Sequence, residues 1–156
     1  MYERVVPAPW GKVGIIGTES GLVRLELNAC SLDNEQLNCP EWLDGCFQLL
    51  KQYLRGEQVN LEKIPIDWQG LKGTVFQKRV WKACQSIGRG QVRSYGWLAE
   101  EIGCSKGFQA VGQALGKNPV AIFIPCHRVV AKNGIGGFSS GLEVKKILLA
   151  LEGIEV

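Results

Sequence analysis

Cysteine and histidine are the residue types most able to do covalent chemistry, and this chain sets one of each side by side. Cys126 and His127 lie in AIFIPCHRVVAKNG, residues 121–134, and His127 is the only histidine in the chain. A thiol attacks as its thiolate, and an imidazole can take its proton and stabilise the anion. The pair reads equally as half of a metal site, or as two residues at a strand end. Adjacent side chains in an extended chain point to opposite faces, so cooperation requires a sharp turn after Pro125 or one bridging water. A third group normally orients the imidazole. The basic C-terminal portion offers only Glu100, Glu101, Glu143, Glu152 and Glu155. Glu152 stands at the end of an amphipathic helix, where a carboxylate gains nothing from the helix dipole. A carboxylate in that disfavoured place suggests a partner such as His127.

The rest of the chain narrows these options. Its 156 residues are 46% hydrophobic and 21% charged, enough for one compact domain or two small lobes. No apolar run is long enough to cross a bilayer, and the first residues lack the apolar core of a signal peptide. The expected location is therefore the cytoplasm, where thiols stay reduced. Cys30, Cys39, Cys46, Cys84 and Cys104 then read as small buried hydrophobes. Zinc is not expected, because no C-x-x-C occurs and a single histidine leaves few ligands. The net charge of +3 is unevenly spread. Residues 1–70 carry 6 Lys+Arg against 10 Asp+Glu, and residues 71–156 carry 12 against 5. The C-terminal part therefore suits a polyanion such as nucleic acid.

The elements that must position Cys126 follow from patterning. GKVGIIGTESGLVRLEL alternates around a turn at Thr18–Gly21 and predicts a hairpin. NCPEWLDGCFQLLKQYLRGE predicts a helix with Trp42, Cys46, Leu49, Leu50, Tyr53 and Leu54 inward. The expected organisation is a small α/β domain, residues 1–69, with an antiparallel sheet and a helix. A mainly helical domain follows at 70–156. There Thr74 and Gln77 form a capping box for TVFQKRVWKACQSI, with Phe76, Val80, Ala83, Cys84 and Ile87 on one face. Ser94 caps YGWLAEEIG and Ser105 caps KGFQAVGQALG, a pair that matches a helix-turn-helix. The second helix exposes Ala and Gly, which suit the close approach of either a partner helix or a narrow minor groove. The last helix turns Val144, Ile147, Leu148 and Leu151 inward and stops at Gly153.

Pro125-Cys126-His127-Arg128-Val129 resembles the signature of the O6-alkylguanine-DNA alkyltransferases. FQKRVW, RSYGWLAEEIG, AVGQALGKNPVAIFIPCHRVV and GGFSSGLEVKKILLALEG are similar to family segments in the same order, over roughly residues 70–153. The resemblance implies a monomeric, cofactor-free protein that binds double-stranded DNA by the minor groove and flips out O6-alkylguanine. It implies O4-alkylthymine as a further substrate. It implies irreversible, stoichiometric transfer of the alkyl group to Cys126, with His127 as base through a water and Glu152 orienting it. Asn118 would tie the active-site turn, and Tyr95 would assist the departing guanine. The Cys126 and Val129 backbone and Ser139 would line the guanine pocket. Contacts to DNA would come from Ser94, Tyr95, Gln109, Ala110, Gly112 and Arg128. A lesion-binding relative without transfer, a cysteine hydrolase and a plain helix-turn-helix regulator are the competing readings.

The chain departs from the family at Gln109, where an arginine usually fills the gap left by the flipped base. Glutamine can stack and hydrogen bond but brings no charge, so weaker DNA binding or slower flipping is expected. Gln109→Arg should raise DNA affinity or transfer rate; no change in either would show that this position is not the wedge.

Overall fold

A computed structural model describes residues 1–29 and 38–155. Cys30 lies outside the described residues. The chain divides into two compact units, Met1–Lys72 and Gly73–Val156.

The first unit is a three-stranded antiparallel sheet with a helix. β1 (Tyr2–Ala8), β2 (Gly11–Thr18) and β3 (Gly21–Glu26) are ordered β1-β2-β3. The expected hairpin is β2–β3, turning through Glu19-Ser20; β1 adds a strand that its own sequence hardly announces, because only Val6 of its seven residues is fully buried. α1 (Glu41–Leu54) buries Leu43, Cys46, Leu50, Tyr53 and Leu54, while Trp42 and Leu49 are half-buried. The Trp42 indole N–H donates to the Thr18 carbonyl at 2.8 Å and the ring lies over Gly17, where the β2–β3 register shifts.

The second unit is helical. α2 (Val75–Cys84) begins with the expected capping box: the Gln77 N–H donates to Thr74 Oγ1 at 3.0 Å, and the Thr74 N–H to Gln77 Oε1 at 2.9 Å. Its buried face is Val80, Trp81 and Cys84, and the Trp81 indole N–H donates to the Ala114 carbonyl at 2.8 Å. β4 (Arg93–Ser94) leads into α3 (Tyr95–Glu101), capped by Ser94 Oγ, which accepts from the Trp97 N–H at 3.0 Å. α4 (Phe108–Gly116) starts later than expected. Ser105 does not cap it, because residues 104–107 close a turn in which the Gly107 N–H reaches the Cys104 carbonyl at 2.7 Å, and Gly107 takes the cap position.

After a 3-10 turn at Cys126–Arg128, β5 (Val129–Val130) pairs in parallel with β4. α5 (Leu142–Leu151) closes the unit and buries Val144, Lys145, Leu148 and Leu149. Its inward face is thus turned from the apolar one expected: Ile147 and Leu151 are only half-buried, and a lysine takes an inward position. No helix among the described residues is long and apolar enough to cross a membrane.

Gly17 is the position where the first unit has least room. A methyl group there would overlap the Trp42 ring and the Gly21 carbonyl. Gly17→Ala should cost about 1–3 kcal/mol through overpacking, read as a lower denaturant midpoint. Gly14→Ala, which meets neighbours at ordinary contact distance, should be tolerated; equal midpoints for the two variants would contradict this packing.

Candidate active site

The run before Cys126 is shaped by Asn118. Its Nδ2 donates to the Ile124 carbonyl at 2.8 Å, and its Oδ1 accepts from the Val120 N–H at 2.9 Å. These bonds fold VAIFI into a tight buried loop in which Ile122 adopts φ +75°. A β-branched residue rarely enters that region, at a cost on the order of 1–3 kcal/mol. Burial of Val120, Ala121, Ile122, Phe123 and Ile124 helps offset it. The 3-10 turn that follows is the sharp bend that two neighbouring side chains need.

Cys126 is 8% exposed and His127 fully buried. The imidazole Nε2 lies 2.6 Å from Glu152 Oε2. A carboxylate can only accept, so this contact assigns the proton to Nε2 and leaves the Nδ1 lone pair as the basic site. Burial holds the imidazole pKa below its ordinary value, although Glu152 opposes that shift. The Cys126 thiol is pushed up by burial and pulled back by the Asn118 side chain and the Lys145 ammonium. Both groups therefore rest neutral near pH 7.

Arg128 occupies a different place from the one expected. A surface phosphate contact requires a free guanidinium, yet Arg128 is 9% exposed. Its Nε donates to Glu152 Oε1 at 2.7 Å, its Nη2 to Oε2 at 3.1 Å and its Nη1 to the Ile87 carbonyl at 2.8 Å. This corrects its assignment as a DNA contact: the arginine compensates the buried Glu152 charge and fixes its plane.

Lys145 is a site residue that patterning did not single out. It is fully buried, and its Nζ donates to the carbonyls of Val129 (2.7 Å), Ile135 (2.7 Å) and Gly137 (3.0 Å). Burial lowers its pKa to about 8. One ammonium thereby gathers the loop that follows Cys126. A signal was present: Lys145 on the inward face of α5 and Glu152 at its C-cap sit seven residues apart, on either side of Leu148 and Leu149, where charges are not expected.

The remaining residues spread around this core. Tyr95 donates through its hydroxyl to the Gly137 carbonyl at 3.3 Å, and the Lys145 ammonium lies 5.9 Å from its ring centre. Gly136 (φ +77°) allows that approach, since a Cβ there would meet the Tyr95 oxygen at 2.9 Å. Val129 is buried with its carbonyl on Lys145, whereas Ser139 is exposed. Ser94 is half-buried and occupied as the α3 cap. Gln109 and Ala110 are exposed on α4; Gly112 is half-buried, its Cβ position 3.9 Å from the Tyr95 ring.

Residues 75–154 match the 6-O-methylguanine DNA methyltransferase, DNA binding domain, and residues 1–68 match the ribonuclease-like domain of the same family. A methylated-DNA–protein-cysteine methyltransferase of Metallosphaera sedula is 38% identical over 146 residues, covering 94% of this chain and 89% of the relative. One from Mycolicibacterium paratuberculosis is 38% identical over 153 residues, covering 96% and 90%. Among solved structures, Mycobacterium tuberculosis OGT in complex with DNA superposes with a TM-score of 0.79 at 35% identity, covering 97% of this chain and 92% of that one. The O6-methylguanine-DNA methyltransferase of Pyrococcus kodakaraensis superposes at 0.68 with 27% identity, covering 97% and 98%. Nearly the whole chain is accounted for in both comparisons, and it belongs to the 6-O-methylguanine DNA methyltransferase family.

Proposed function

We propose that this protein repairs DNA by direct reversal, moving the alkyl group of O6-alkylguanine irreversibly onto Cys126. The observation that carries the reading is the buried His127–Glu152 contact beside a nearly buried cysteine. Residues 70–156 hold the DNA-binding and transfer machinery and residues 1–69 form an accessory α/β domain. The protein acts as a monomer in the cytoplasm on double-stranded DNA approached from the minor groove, and O4-alkylthymine is a further substrate.

A base within a duplex is out of reach of a buried thiol, so the lesion must be turned out of the stack. The thiol proton passes to His127 Nδ1 through a water, and Glu152 stabilises the resulting imidazolium. The Cys126 sulfur then forms a bond to the alkyl carbon as the carbon–O6 bond breaks, and its electron pair leaves with guanine. Tyr95 supplies a proton to the departing base, which its hydroxyl can do by exchanging the Gly137 carbonyl for the ligand. Asn118 keeps the loop in shape, and the Cys126 and Val129 backbone with Ser139 line the pocket. Ser94, Tyr95, Gln109, Ala110 and Gly112 face DNA. The thioether product has no ionisable proton and no leaving path, so each molecule acts once and needs no cofactor.

Intact mass after incubation with a duplex containing O6-methylguanine tests this reading. The expected result is a lasting gain of one methyl group in place of the thiol hydrogen, limited to one per molecule and absent in Cys126→Ser. An unchanged mass with retained preference for lesion DNA would establish the lesion-binding alternative instead.

A further inference from the structure

An aromatic side chain stands at the start of the DNA-facing helix. Phe108, the first residue of α4, is 53% exposed. The exposed positions that follow it are Gln109, Ala110, Gln113 and Gly116, none of them charged or bulky. Lone apolar residues on a surface are ordinary, so the position of this one has to decide. Phe108 precedes Gly112 by four residues and so shares its side of the helix. The Cβ position of Gly112 is 3.9 Å from the Tyr95 ring. Tyr95 in turn bonds the Gly137 carbonyl, in the loop that Lys145 ties to Val129. Phe108 therefore lies on the flank of α4 that leads to the active-site loop. Four residues advance about 6 Å along a helix axis, less than two base-pair steps of DNA. Unstacking a base leaves its neighbours without a stacking partner, and proteins that distort the minor groove insert apolar side chains such as phenylalanine between base steps. The basic second unit, with 12 Lys+Arg against 5 Asp+Glu over residues 71–156, suits the phosphates on either side.

We propose that Phe108, next to Gln109 where the family arginine is missing, supplies a base-stacking wedge of its own: on a DNA duplex it enters the minor groove beside the lesion and holds open the step from which the alkylated base departs. This rests on the reading of the protein as one that extrudes O6-alkylguanine. Phe108 touches DNA and not the reacting atoms, so its effect belongs to duplex substrates alone.

Phe108→Ala and Phe108→Trp test the proposal, and removing an exposed ring should leave folding intact. Two readouts are taken with each protein. One is the rate of alkyl transfer from an O6-methylguanine duplex, compared with the rate from a free O6-alkylguanine base. The other is the fluorescence of 2-aminopurine placed next to the lesion, which reports unstacking whether or not transfer follows. Phe108→Ala should slow transfer from the duplex roughly ten-fold, the size of one lost base–aromatic stack. It should also weaken the fluorescence change and leave the free-base rate unaltered, while Phe108→Trp should restore both duplex readouts. An unchanged duplex rate and fluorescence in Phe108→Ala overturns the proposal, as does an equal loss on the free base. A native protein that unstacks the duplex in a Phe108-dependent way without transferring the alkyl group would support the wedge and remove the transfer reading.

Discussion

The Glu152 carboxylate is the point on which the second unit depends. It is a buried anion, and burying one without partners is prohibitively costly. Here it has the Arg128 fork on both oxygens, the His127 ring at 2.6 Å, and the Gly90 N–H at 3.4 Å from Oε1. Three distant segments thus converge on one group: the loop after α2, the turn carrying Cys126, and the end of α5. The Arg89 guanidinium adds a bond to the Leu151 carbonyl at 2.9 Å. Breaking such a pair by removing one member typically costs about 3–5 kcal/mol, because the other is left uncompensated. The same contacts that hold the turn to α5 also fix the imidazole tautomer. One carboxylate therefore holds both the turn and the imidazole ring.

A second cation, Lys145, does similar work on the loop that follows Cys126. The loop over residues 129–137 offers carbonyls to a side chain as well as to a strand, and Lys145 collects three of them. Together with the strained but well-bonded Ile122 loop, this makes the surroundings of the thiol stiff. The exposed side of α4 is built in the contrary manner, from the uncharged Gln109, Ala110, Gln113 and Gly116 with one protruding ring at Phe108.

Much of this was readable from residue types. The capping box at Thr74, the cap at Ser94 and the β2–β3 hairpin obey local rules, and local rules survive folding. The Glu152–His127 pairing was legible because a carboxylate at a helix C-terminus is out of place. Arg128 was harder: an arginine beside a cysteine in a basic region looks like a phosphate contact, and only tertiary structure shows its guanidinium turned inward. Lys145 was missed for the same reason, since a lysine among apolar residues is usually a surface residue that snorkels. The start of α4 was misplaced because Ser105 is a good cap in isolation, yet the turn from Cys104 to Gly107 claims it. Polar groups whose partners lie far away in sequence leave little trace in local pattern.

The chain has one histidine, so a nitrogen-15 spectrum of its imidazole reports on His127 alone. The account predicts a neutral ring at pH 7 with the proton on Nε2 and none on Nδ1. It further predicts that the ring titrates below the ordinary histidine range, because burial lowers its pKa, and that Glu152→Gln disturbs the tautomer. A ring protonated at Nδ1, or an imidazolium at neutral pH, would contradict the claim that Glu152 holds His127 ready to take the Cys126 proton.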